Sequence, residues 1–118
     1  MEINEHLFEK RPLEEINKCY SIPFMLMTNS TKPFIALGRT KEGYYFSTPY
    51  FMLKNIVLDE SFIEIILLIP VGMDGCVVDY PESFYSLQTT KNSIFVSTKP
   101  FSEIQTCSSE FVNRELID

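Results

Sequence analysis

The sequence predicts an all-β domain, a jelly-roll-like β-sandwich of about eight short antiparallel strands with a short N-terminal helical arm. Three observations carry that expectation. Ile, Val and Thr number 12, 6 and 8 and aromatic residues add 16, so 42 of 118 residues favour pleated, half-buried surfaces. Alanine, the best helix former, occurs once, at Ala36. Turn chemistry then recurs at near-regular spacing from Ile22 onward. A length of 118 residues suits one domain, and a chain that is 45% hydrophobic and 22% charged is too apolar for disorder.

Residues 1–21 read as an arm and residues 22–118 as the sandwich. The arm crowds Glu2, Glu5, Glu9, Lys10, Arg11, Glu14, Glu15 and Lys18 together. Pro12 suits the first turn of a short helix over Leu13–Cys19, with Leu13, Ile16 and Tyr20 on one face. Strand signals follow at Pro23–Asn29, Phe34–Leu37 and Tyr44–Phe46, separated by Asn29–Pro33 and by Thr40–Gly43. Tyr50–Leu58 is the next run, closed by Asp59–Ser61. Phe62–Val71 is the strongest strand, and Asp74-Gly75 signals a tight turn into Cys76–Val78. Phe84–Thr89 and Ile94–Thr98 complete the set, with Thr90-Lys91-Asn92 between them. Ser108 or Ser109 can cap a last helical turn at Glu110–Val112.

Within Phe62–Ile69 the odd positions Ile63, Ile65, Leu67 and Ile69 form one apolar face. The even positions are apolar too, apart from Glu64. The outer face of a lone sandwich alternates to polar residues. Either another element of the chain or a second subunit therefore covers this face. Phe62, Ile66 and Leu68 are the side chains such an interface would use.

Sixteen acidic against ten basic residues leave a net charge of −6, which argues against nucleic acid and anionic membrane as main partners. The apolar run Ile65–Met73 is too short to span a bilayer. The start, Met1–His6, is acidic and lacks the basic and apolar regions of a signal peptide, so synthesis in a cytosol is expected. A single histidine, His6, rules out any site that needs two imidazoles, and four scattered glycines leave little for a phosphate-cradling loop. Cys19, Cys76 and Cys107 are widely spaced without a CxxC pair, so they read as buried or idle thiols, with intermolecular disulfides the lesser reading and neither metal nor cofactor expected. The acids Asp59, Glu60, Glu64, Asp74, Asp79 and Glu82 match no calcium loop and read as turn acids. Asn29-Ser30-Thr31 matches a glycosylation sequon that is incidental in a cytosolic chain. Tyr44, Tyr45, Phe46, Tyr50 and Phe51 could stack on a sugar or a base, and equally serve as core and interface residues. No catalytic constellation emerges, and the chain reads as a non-enzyme.

About four fifths of the chain carries an ordered series of motifs: Ser21-Ile22-Pro23-Phe24, then Lys32-Pro33-Phe34-Ile35-Ala36-Leu37-Gly38, then Ser61–Ile69. Phe84–Thr90 runs on to Ile94-Phe95-Val96, and Pro100–Thr106 and Ser109–Arg114 close the series. From Ile22 to Arg114 this order resembles the Bacillus spore-coat and exosporium family of CotY, CotZ and ExsY, the last two stretches being similar to the family's C-terminal signature. The resemblance implies a structural, self-assembling protein of the spore surface, made in the mother cell and forming homo-oligomers with itself and contacts to other spore-surface proteins. Ring, hexameric sheet and fibre stay open as geometries. The family is cysteine-rich, but the matching positions here are Phe62, Ser93, Pro100, Ser102 and Thr106. Most cross-linking is therefore expected to be lost, with Cys19 and Cys107 left as cross-link candidates. A subunit of an endospore appendage fibre, or a glycan-binding sandwich whose concave face carries Tyr44, Tyr45 and Tyr50, are the competing readings.

Overall fold

The computed structural model describes residues 7–57 and 61–116. The chain is all-β and sandwich-like, with eight antiparallel strands: β1 (Glu9–Pro12), β2 (Phe24–Thr28), β3 (Ala36–Arg39), β4 (Tyr45–Thr48), β5 (Phe51–Val57), β6 (Phe62–Val71), β7 (Ser86–Ser97) and β8 (Phe101–Thr106). Six form one sheet in the order β1-β8-β2-β5-β6-β7, and β3 and β4 form a separate hairpin.

The large sheet is buried on both faces along its middle. In β2, Phe24 and Leu26 point into one core while Met25 and Met27 point into the other. The first core gathers Ile63, Ile65 and Leu67 of β6 with Phe51, Leu53 and Ile104, and is covered by Ala36 and Phe46 of the hairpin and by Ile16. The second gathers Leu68, Leu87, Met25, Met27 and Cys107 around Tyr50 and Phe84. Tyr50 is its hub, with ring centroids 4.9 Å from Phe84, 5.9 Å from Phe8 and 6.3 Å from Tyr80. Such edge-on and offset ring pairs add cohesion beyond the area they bury.

The expected division at residue 21 does not hold for the described part of the arm. Glu9–Pro12 pairs with Glu103–Thr106 as the outermost strand of the sheet. All four of its residues are exposed, so no apolar alternation marked it as a strand. Charges and proline are what an edge strand tolerates. Arg11 ties this edge together, donating to Thr106 Oγ1 at 3.2 Å, Glu15 Oε1 at 3.1 Å and Glu9 Oε1 at 3.0 Å. Leu13–Lys18 is a helix, but of the 3₁₀ type. Its three-residue turn puts Leu13, Ile16 and Cys19 against the core and leaves Tyr20 outside.

Other boundaries moved for identifiable reasons. Phe84–Thr89 and Ile94–Thr98 belong to one strand, because Thr90–Asn92 is a bulge rather than a turn, with Thr90 Oγ1 donating to Leu67 O at 2.7 Å. Cys76–Val78 forms no strand of its own. It returns along β6 through the Val71–Val77 bridge and the bond from Val78 N to Pro70 O, 3.0 Å, after the turn at Gly75 (φ 82°). The final turn forms as expected, with Ser108 Oγ accepting from Glu110 N at 3.1 Å.

Candidate functional site

The second face of β6 is covered over only half its length. Leu68 is 0% exposed, whereas Phe62 is 41% exposed and Phe95, beside Glu64 on β7, is 65% exposed. Leu68 is therefore withdrawn as an interface residue: Tyr50, Phe84 and Leu87 of its own chain already enclose it. Ile66 is half-buried, and strand pairing sets it on this open face with Phe62, Glu64, Ser93, Phe95 and Ser97. At the centre of the face Glu64 Oε2 accepts from Ser93 Oγ at 2.9 Å and meets Lys54 Nζ at 3.5 Å. Lys54 reaches it from the bulge between Leu53 and Asn55 on β5. The result is an apolar surface around a paired carboxylate, at the end of the sheet.

That end is also an edge. Asn113 closes one stretch of it, donating to Leu87 O at 2.8 Å and accepting from Thr89 N at 3.0 Å. Asn92 closes the next, its amide bonded to Arg39 N at 3.1 Å and Arg39 O at 2.7 Å. Beyond Asn92, β7 has no neighbouring strand on its outer side among the described residues. Thr98 N bonds to Ser61 O at 3.0 Å, so by alternation Ser93, Phe95 and Ser97 turn their backbone groups outward.

The two cross-link candidates are the buried cysteines. Cys19 is 1% and Cys107 5% exposed, so neither can reach another subunit as the chain is folded. Burial pushes the Cys19 thiol up to about 11 and that of Cys107 up to about 12, away from the reactive thiolate. Cys76 is the exposed thiol, on the turn after β6, held above its ordinary value by hydrogen bonding to Asp74.

The tyrosines part company as well. Tyr50 lies in the second core, where burial pushes its hydroxyl up, while Tyr44 and Tyr45 are exposed on the hairpin. No concave face joins the three. Phe46 and Phe51 are core residues. Asn29-Ser30-Thr31 is an exposed turn. Asp79 and Glu82 lie on the exposed loop after β6, and Asp74 accepts from Cys76 N at 3.0 Å. His6, Asp59 and Glu60 fall outside the described residues. Among the described residues no three His, Cys, Asp or Glu side chains gather as a metal site.

A second feature had no clear sequence signal. The Arg39–Glu42 turn of the hairpin stands beside the β7 bulge, and between them runs a groove of about 660 Å³. Its floor is Ile69, Val71 and Val77, and its rim carries Arg39, Lys41, Lys91 and Asn92. The lysines lie fifty positions apart, and the bonds between Asn92 and Arg39 hold the hairpin turn beside the bulge. Comparison with family models, with curated proteins and with solved structures found no match to this chain.

Proposed function

We propose that the chain is a structural subunit that self-assembles at the surface of a bacterial spore, in the outer coat, crust or exosporium. The observation that carries this reading is the open half of the β6–β7 face, where Phe62, Ile66 and Phe95 present apolar surface beside an unpaired strand edge. An exposed strand edge is a template for pairing, and contiguous apolar surface gains free energy when a second copy covers it. The motif order that resembles the CotY, CotZ and ExsY family supports the biological setting. Its stretches fall on β2, β6, β7 and β8 of the sheet, on β3 of the hairpin and on the C-terminal turn, and β6 and β7 carry the open face.

The appendage-fibre alternative gains less support. It relies on an N-terminal arm that reaches a neighbour, and Glu9–Lys18 is engaged with β8 and the core of its own chain. Analytical ultracentrifugation tests the proposal. The parent protein should sediment as an oligomer, and Ile66→Lys with Phe95→Lys should give a folded monomer. A monomeric parent, or a variant that sediments like the parent, would remove this face as the assembly surface.

A further inference from the structure

The groove between the hairpin turn and the β7 bulge is a separate feature from the open sheet face, and its chemistry runs against that of the whole molecule. Three cations and one acid, Glu42, line it, an excess of two positive charges in a chain of net −6. Arg39 is fixed there: Asn92 binds its backbone on both sides, its guanidinium lies 5.2 Å from the Tyr45 ring centroid, and Nη2 reaches Gly43 O at 3.5 Å. Lys41 and Lys91 make no ion pair among the described residues. Gln88, Thr89 and Asn92 add amide and hydroxyl groups above the aliphatic floor. The volume lies within the range of about 300–1,000 Å³ typical of ligand sites.

The turn that supplies Arg39 and Lys41 also presents two exposed rings. Tyr44 is joined to Thr40 in both directions, at 2.7 and 3.1 Å, and Tyr45 pairs across the hairpin with Arg39. Cations to meet carboxylates and amides to meet hydroxyls thus line the groove from the hairpin turn and from β7, and the exposed Tyr44 and Tyr45 rings stand on the hairpin just outside that lining. We propose that this groove binds a carboxylate-bearing saccharide chain, with Arg39, Lys41 and Lys91 meeting the carboxylates and Tyr44 stacking on an adjoining ring. The chain as a whole, at net −6, lacks the basic excess that nucleic-acid-binding domains carry, which favours a sugar-bearing anion met locally by these three cations.

Calorimetric titration of the full chain with a short oligogalacturonate tests this, using a neutral cello-oligosaccharide and a single-stranded oligonucleotide of equal length as comparisons. The oligogalacturonate should bind in a salt-sensitive manner and the other two should bind far more weakly. Lys41→Ala with Lys91→Ala, both exposed positions, should keep the parent circular dichroism spectrum and weaken binding about tenfold or more. Tyr44→Ala should weaken it as well. Absence of oligogalacturonate binding, equal binding of the neutral sugar, or unchanged affinity in either variant would overturn the proposal. Tighter binding of the oligonucleotide would overturn it in favour of a nucleic-acid site.

Discussion

Gly38 marks where the hairpin touches the large sheet. A Cβ there would lie 2.6 Å from Phe46 Cζ and 3.0 Å from Leu67 Cδ2, so the position has no room for a methyl group. Gly38→Ala should cost about 1–3 kcal/mol of stability, read as a lower denaturation midpoint in urea. The three thiols differ as sharply. A disulfide-exchange reagent at pH 8 should label Cys76 alone in the native protein, and all three cysteines after unfolding; fast labelling of Cys19 or Cys107 would contradict their burial. The buried pair also sets an alkaline limit. Their native values are raised above the ordinary 9.0, so their contribution to stability is whole below pH 9.0 and is lost as pH rises through about 11 and about 12. Melting temperatures across that window should fall less steeply in Cys19→Ala with Cys107→Ala.

Among the elements, the first 3₁₀ turn has a larger role than its length suggests. Ile16 is buried in the first core, and Cys19 O accepts from Leu53 N at 3.0 Å, locking the turn to β5. Ile16→Ala should cost about 2–5 kcal/mol, and deleting residues 1–17 should unfold the domain, because it removes β1 along with that side chain. A truncated chain with the parent melting temperature would refute this. The same elements show where sequence was readable. Phe62–Val71 was legible to the residue, since ten nearly unbroken apolar positions leave no other period to follow. β1 was hidden because an edge strand needs no apolar face, and β8 because Phe101–Thr106 reads as mixed polar sequence until β1 and β2 flank it. The open face was visible in the even positions of β6, but its extent was not. Only the fold reveals that Tyr50 and Phe84 reach Leu68 and stop short of Ile66.

For the whole molecule, one accessible thiol per chain bounds covalent assembly. A chain with a single such thiol can be linked to one other chain only, so denaturing gels run without reductant should show nothing above a dimer, and, if the proposed assembly forms, reductant should leave its size unchanged. A ladder of higher species would show that a second cysteine becomes exposed. The sheet order has its own consequence in time. β8 lies between β1 and β2, so these two strands stay unbridged until residues 101–106 have been synthesised. Contacts this distant in sequence form slowly. Through that interval the edge of β2 that pairs with β8 is unsatisfied and the first core lacks Ile104. A ribosome stalled before residue 101 would therefore hold a sticky intermediate, and ribosome-associated chaperones should crosslink to the chain until β8 emerges.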